Sequence, residues 1–411
     1  MDILPEEIPY WQFIEETARK TAAKYGFSEI RVPTFEVTEL FQRGVGDTTD
    51  VVQKEMYTFT DRENRSLTLR PEGTAGVARA VLENGKLSDA LPLKLYYLIN
   101  CFRYEKPQAG RSREFFQFGA EMYGAAAASA DASVIALADA IIKGIGIDSA
   151  ALSINSIGCP ECRPKYHEAL VEYFKANEEK LCPTCRERLK TNPLRILDCK
   201  NPECIELSEN APKTIEHLCD ECNAHFELLK ASLGKMGIEY KVNPKIVRGL
   251  DYYTRAVFEF ICDTIGAQST ICGGGRYDGL IEELDGPKTP GIGFAMGITR
   301  LILAMKAAGV EVKMPEGPTL YIAPMGDDAA AEALGITEKL RNLGIYAECD
   351  VCGRSLKAQM RYANKIGSKY TLIIGSSELE SGVSQIKNMA DGTQSEVAFK
   401  DTDAILAIIN A

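Results

Sequence analysis

The stretch from Cys101 to Gly124, CFRYEKPQAGRSREFFQFGAEMYG, sets arginines, carboxylates and aromatic rings close together in a chain of formal net charge −11. Its pattern predicts two strands joined by a loop. Alternate residues of a strand share a face. Tyr97, Ile99, Cys101, Arg103 and Glu105 therefore line up on one strand, and Phe115, Gln117, Gly119 and Glu121 on the other. Phe116, Phe118, Ala120 and Met122 make the opposite, apolar face and are expected to pack inward. A guanidinium meets phosphate oxygens with two parallel N–H groups, and an aromatic ring stacks on a base. Such a floor suits a charged, planar ligand. Taken alone, the stretch reads equally well as an amphipathic hairpin with a solvated ion-pair face.

Four further segments add chemistry. In LTLRPEGTAG, Arg70 and Glu72 follow a predicted strand, where a turn aims them into a pocket. IVRGLDYYTRAVFEF supplies Arg248, Tyr252 and Tyr253; CGGGRYDGL joins three glycines to Arg276 and Tyr277. Glycine permits close approach of backbone to ligand, and equally a tight turn. GIGFAMGITRL sets Arg300 in a helix that is otherwise apolar on one side. Cys159/Cys162, Cys182/Cys185 and Cys219/Cys222 are C-x2-C pairs, and Cys199/Cys204 is a C-x4-C pair. That spacing is of the zinc type and suffices for one or two tetrahedral thiolate sites, with His167, His217 and His225 as possible substitutes. Buried, metal-free thiols are the alternative. Arg354, Lys357, Arg361, Lys365 and Lys369 recur every three or four residues, which makes either a basic stripe for RNA or an ordinary solvated helix face.

The elements that must position these residues follow from periodicity. With 411 residues, the chain is expected to form two or three domains. An apolar fraction of 45% and a charged fraction of 26% are those of an ordinary globular protein, and the acidic balance gives no basic stripe over the whole surface. MDILPEEIPYWQF lacks a basic region followed by an apolar core, so no signal peptide is expected. SVIALADAIIKGIGI is interrupted by charge and too short to span a bilayer; Val134, Leu137, Ala138 and Ile141 mark it as a core-facing helix. A cytosolic protein without membrane association is the expectation, with cysteines kept as thiols or metal ligands. Eight of the 13 cysteines and all 3 histidines fall between Cys159 and His225, which predicts an inserted, mostly helical domain over 154–245. Residues 1–153 and 246–312 then form a discontinuous domain, and 318–411, alternating strand and helix, a small α/β domain.

Together, FRYE, GRSREFFQFGAE and GIGFAMGITRL resemble motifs 2 and 3 of class II aminoacyl-tRNA synthetases, after a motif 1-like segment ending at Pro33. RGLDYYT and GGGRYDGL resemble the signatures of the histidyl-tRNA synthetase family, and the likeness covers nearly the whole chain. It implies an α+β fold: an antiparallel sheet flanked by helices, the cysteine-rich insertion, and a C-terminal anticodon-binding domain. It implies a homodimer that activates L-histidine with ATP and Mg2+ and passes it to tRNA(His). By this resemblance Arg103 holds the α-phosphate, Phe115 stacks on adenine, Arg300 grips the far phosphates, and Glu105 lies by the adenine or organises Mg2+. Glu72, Gly73, Thr74 and Gln117 are similar to the residues that receive the α-amino group. Glu121 and Tyr253, with Tyr252 and Tyr277 beside them, resemble the set that reads the imidazole. Arg248 resembles a catalytic arginine at the α-phosphate, Gln108 a contact to the tRNA acceptor end, and Arg354, Lys357 and Arg361 anticodon-side contacts. Structural zinc in the insertion draws little support from the family. The resemblance also implies a few residues ahead of DILP, so a trimmed N-terminus is expected.

The rival reading is a non-catalytic relative, the regulatory subunit of ATP phosphoribosyltransferase. Arg103, Arg248, Arg300 and the C-terminal domain argue against it. Histidine activation itself needs no general base, because the attacking carboxylate is already ionised. In-line positioning and cations suffice.

Overall fold

A computed structural model describes residues 2–46, 49–108, 110–197, 199–246 and 249–410, without the side chains of 267 and 268. The chain divides into two compact units, Met1–Val312 and Lys313–Ala411.

The first unit is built on an eight-stranded sheet. Its order is Ser28–Glu29, Leu93–Phe102, Glu114–Tyr123, Gly291–Gly297, Thr270–Arg276, Thr254–Ile261, Ala151–Ser156 and Lys241–Val242. All neighbours are antiparallel except the two short outermost strands, which pair in parallel. The hairpin register pairs Tyr97 with Gly119, Ile99 with Gln117 and Cys101 with Phe115. The face expected from alternation is therefore the face that forms.

One side of this sheet is apolar, and the helices Ile8–Lys24, Ala128–Gly144, Asp220–Lys235 and Ile298–Ala307 pack on it. Trp11, Ile14, Ala18 and Ala22 recur at helical spacing, as do Val134, Leu137, Ala138 and Ile141, so each helix turns one stripe to the core. Phe118, Ala120 and Met122 meet them from the hairpin. The helix Asp220–Lys235 contributes Phe226, Leu229 and Leu233 to this same core, although the sequence placed it in the insertion. The rest of the insertion has a core of its own around Tyr166, Leu170, Phe174 and Ile196.

The other side of the sheet is cleared for a ligand by residue size. In GIGFAMG, Ile292, Phe294 and Met296 go to the core, while Gly291, Gly293, Ala295 and Gly297 face the opposite way. The helix Thr74–Glu83 and a small antiparallel sheet of Phe35–Val37, Ser66–Leu69 and Tyr57–Thr60 lie toward that side.

The second unit has a five-stranded sheet in the order Ala347–Cys349, Leu320–Pro324, Tyr370–Ile374, Val383–Asn388 and Gln394–Ala398. The first three strands are parallel and the last two antiparallel. The strand Val383–Asn388 is polar at its exposed positions and was not expected from the pattern; its pairing on both edges makes it a strand.

Candidate active site

On the cleared face lies a cavity of about 580 Å3, within the usual size range of small-molecule sites. Its two ends differ in chemistry.

At one end Glu121 is buried with 1% of its surface exposed. Thr74 Oγ1 donates to its Oε1 at 2.8 Å, Tyr97 OH donates to the same oxygen at 3.0 Å, and Tyr277 OH donates to Oε2. Burial pushes the Glu121 carboxyl up to about 8, with the nearby Glu72 charge adding to it and the hydroxyl donors from Tyr277 and Thr74 opposing. Glu72 is buried too, and its oxygens accept the backbone N–H of Thr74 at 2.6 Å and of Ala75 at 2.8 Å. It thus occupies the N-terminus of Thr74–Glu83, where the helix dipole favours negative charge. Burial nevertheless raises its proton affinity.

Glycines make this arrangement possible. A Cβ at Gly293 would lie 1.7 Å from Glu121 Oε2; one at Gly119 would lie 2.1 Å from the Tyr97 ring, and one at Gly73 2.5 Å from it. Tyr252 and Tyr253 close the end, with ring centroids 4.6 Å apart, and Tyr252 meets Tyr277 at 5.6 Å. Gln117 lines the wall and accepts from the Cys101 thiol at 3.5 Å.

The other end is cationic. The Arg103 guanidinium stands 5.4 Å from the centroid of the Phe115 ring and donates through Nε to Pro71 O at 2.8 Å. Arg300 donates through Nε to Gly110 O at 3.2 Å and through Nη1 to Thr270 O at 2.8 Å. Arg111 pairs with Glu105 at 3.1 Å. Burial, then the neighbouring Arg111 charge, lowers the proton affinity of Arg300. Glu105 and Glu259 line the same region.

A hairpin that offers guanidinium, ring and carboxylate beside a pocket built to bind a small polar group has a clear parallel among known proteins. The family model described as Histidyl-tRNA synthetase matches residues 1–301, and the one described as Anticodon binding domain matches 319–407. The chain belongs to the histidyl-tRNA synthetase family. The histidine–tRNA ligase of Acetivibrio thermocellus is 53% identical over 97% of this chain and 95% of its own length. That of Clostridium perfringens is 52% identical over 99% of this chain and 97% of its own. The crystal structure of apo S. aureus histidyl-tRNA synthetase superposes with a TM-score of 0.83 at 39% identity, over 100% of this chain and 98% of that one. The α+β class II fold is thereby established, and the chain is an aminoacyl-tRNA synthetase, a histidine–tRNA ligase. The regulatory-subunit reading is set aside, since relatives half identical along nearly the entire chain are ligases.

Within this family member the structure brings together Glu72, Gly73, Thr74, Arg103, Glu105, Phe115, Gln117, Glu121, Tyr252, Tyr253, Tyr277 and Arg300. Arg248 lies outside the described residues. Arg103 and Glu105 follow the strand end at Phe102, so loop geometry and not strand alternation aims them. Gln108 is exposed in the hairpin loop, its backbone bridged to Arg111. Arg276 turns to the helix face, fully buried against Asp131 and 3.0 Å from Asp278, while its neighbour Tyr277 faces the cavity. Among the lining residues missed in the sequence are Arg111 and Glu259. A lone carboxylate in the apolar strand TRAVFEFI was the available signal for Glu259.

The insertion thiols fall into two groups of four, Cys159–Cys162–Cys219–Cys222 and Cys182–Cys185–Cys199–Cys204. Each group's sulfurs lie within 4.8 Å of one another and could hold a metal ion. Neither group includes a histidine; of the three named as substitutes, His225 Nε2 lies 2.5 Å from Asp131 Oδ2, His217 packs on Tyr166, and His167 is exposed.

In the second unit the helix is Leu356–Lys365, so the expected stripe keeps Lys357, Arg361 and Lys365, all exposed. Arg354 precedes the helix and is held by Asp350 at 2.7 Å, its guanidinium 4.4 Å from the Tyr362 ring. Lys369 follows it and pairs with Glu316. Among the described residues, no helix is long and apolar enough to cross a membrane.

Proposed function

We propose that the acidic, tyrosine-lined end of the cavity seats histidine and the guanidinium end seats ATP. The observation that carries this assignment is the polarity of one continuous cavity, carboxylates and hydroxyls at one end and guanidinium groups at the other. Glu121 and Tyr253 read the imidazole, with Tyr252 and Tyr277 packing beside it. Glu72, Thr74 and Gln117 receive the ammonium group. Phe115 stacks on adenine, Arg103 holds the α-phosphate together with Arg248, and Arg300 grips the β- and γ-phosphates.

The carboxylate of histidine attacks the α-phosphorus, the bond to the bridging oxygen breaks, and pyrophosphate leaves with the electron pair. No proton transfer is needed. The arginines work by standing where negative charge accumulates. Glu105 and Glu259 are the carboxylates at this end that would hold Mg2+, which when bound would supply further neutralisation of phosphate charge. The 3′-terminal ribose of tRNA(His) then takes the acyl group, with Gln108 at the acceptor end and Lys357 and Arg361 on the anticodon side. Arg354, spent on Asp350, serves the shape of that domain. A cytoplasmic homodimer with the 154–245 insertion lying over the acceptor arm completes the reading.

The eight insertion thiols hold two structural zinc ions. A tetrahedron with Zn–S bonds of about 2.3 Å has edges of about 3.8 Å. The Cys159–Cys162, Cys159–Cys219 and Cys182–Cys199 sulfur pairs stand 3.6, 3.9 and 3.9 Å apart.

The test is amino-acid-dependent ATP–pyrophosphate exchange with all the standard amino acids. Exchange with histidine alone, lost in Arg248→Ala and in Glu121→Ala, is the expected result. Exchange that survives both substitutions overturns the assignment of the two ends.

A further inference from the structure

The two thiolate groups are nested, and they stand in different places. The inner group, Cys182, Cys185, Cys199 and Cys204, lies within the core that the insertion makes for itself. The outer group joins the segment entering the insertion at Cys159–Cys162 to the segment leaving it at Cys219–Cys222. Its backbone is shaped for this role. Gly158 adopts φ +69°, a Cβ there would sit 2.6 Å from that of Cys162, and the N–H of Cys219 donates to Cys162 Sγ at 3.1 Å.

Both knuckles of the outer group reach the histidine end of the cavity. From the first, Arg163, the residue after Cys162, donates through Nη2 to the carbonyl oxygen of Tyr253. Gly158 O also accepts the N–H of Arg255 at 2.8 Å, and Arg255 O accepts the N–H of Ile157 at 2.8 Å. From the second, Glu221, lying between Cys219 and Cys222, pairs with the Arg255 guanidinium at 2.6 Å. The bracketed segment Tyr253–Thr254–Arg255 carries a residue of the site and a non-glycine residue in the left-handed region, Arg255 at φ +51°. A conformation of that kind persists only where its surroundings over-determine it.

We infer that the outer site is a metal-dependent positioning device for histidine recognition: its ion fixes both knuckles, and the knuckles clamp Tyr253. Arg163 and Glu221 are positioning residues, acting through the Tyr253–Arg255 backbone. The inner site serves the insertion fold and leaves histidine affinity alone. This inference rests on the reading of the thiols as zinc ligands.

The experiment uses the full chain purified without chelator. Zinc per chain is measured by elemental analysis, and KM for histidine and for ATP by pyrophosphate exchange. The wild type is expected to hold two zinc ions, and Cys219→Ser and Cys182→Ser one each. Cys219→Ser releases the second knuckle and raises the histidine KM by about tenfold, well within the cost of about 1 Å of misplacement in a positioned site, with the ATP KM nearly unchanged. Cys182→Ser leaves both constants near wild type. Arg163→Met covers the case in which a cysteine variant fails to fold. It keeps both ions and raises the histidine KM in the same way, and Arg163→Lys recovers part of the loss. An unchanged histidine KM in Cys219→Ser and Arg163→Met, with two ions present in the wild type, overturns the clamp and leaves the zinc reading standing. A wild-type chain without bound zinc overturns both the zinc reading and the metal-dependent clamp.

Discussion

The two ends of the cavity solve opposite problems. At the histidine end both carboxylates are buried and already bonded: Glu121 takes three hydroxyls, and Glu72 caps a helix. A ligand there must offer hydrogen bonds that replace or complete this network, and an analogue that cannot leaves buried groups unpaired. That is a device for discrimination. At the ATP end Arg103 and Arg300 are positioned in part by backbone carbonyls, which fix each guanidinium in place. That is a device for stabilising charge, indifferent to which amino acid is being activated. Damage to the first end should appear in the histidine KM, and damage to the second in kcat.

The largest effect is expected at the second end. Arg103→Ala and Arg300→Ala should each lower the rate of histidine-dependent pyrophosphate exchange by roughly 10²–10³, the range for removing one preorganised stabiliser of transition-state charge. The histidine KM should move little. If instead the histidine KM rises as steeply as kcat falls, the two ends are not separable. Stopped-flow measurement of adenylate formation distinguishes the cases.

Gly293→Ala attacks the first end. The new methyl would overlap Glu121 Oε2, and neither the strand nor the carboxylate, held by Tyr277, has room to move away. The histidine KM should rise by about a hundredfold, the loss that follows about 1 Å of displacement in a positioned site. ATP binding, followed by quenching or calorimetry, should survive.

How much of this was legible in the sequence follows the same division. Hairpin alternation is a two-residue period, so Phe115, Gln117 and Glu121 could be placed on one face beside Tyr97 from spacing alone, and the register agrees. The whole pocket could not. Glu259 comes from a strand distant in sequence, and Arg111 from a loop, where no period applies. Arg276 and Tyr277 look alike in CGGGRYDGL, yet a strand sends neighbours to opposite faces, one to Asp131 and one to Glu121. The C-x2-C spacings announced thiolate sites, but which pairs combine depends on the fold. Nested pairing emerged only once Cys159 and Cys219 were seen side by side.

A smaller and more graded effect concerns pH at the histidine end. The Glu121 carboxyl is pushed up to about 8 by burial, so near neutrality it carries a proton that a surface glutamate would have lost. Histidine's imidazole binds against it with one proton shared between the two groups. From about 6.5, the ordinary imidazole value, to about 8, free enzyme and free neutral imidazole together hold that same single proton, and the histidine KM should be flat. Above about 8 the free carboxyl loses the proton, binding must take one from water, and the KM should rise about tenfold per pH unit. Stability moves the same way: a carboxyl raised in the fold stabilises it below its unfolded value, and that contribution is lost as pH climbs toward about 8. Glu121→Gln removes the alkaline limb. A limb that persists in this variant assigns the titration elsewhere.

The smallest effect sharpens the comparison by lying outside both ends. Lys357 and Arg361 stand one helical turn apart on an exposed face of the C-terminal unit. As phosphate contacts they bind RNA through counterion release, without reading bases or touching the adenylate chemistry. Lys357→Ala with Arg361→Ala should leave pyrophosphate exchange unchanged, raise the tRNA KM a few-fold, and flatten its salt dependence by about one unit of log–log slope per lost contact. Filter binding at several salt concentrations measures the slope directly. An unchanged slope would return these cations to the status of an ordinary solvated face, and an altered exchange rate would tie the second unit to the cavity in a way that neither end's chemistry requires.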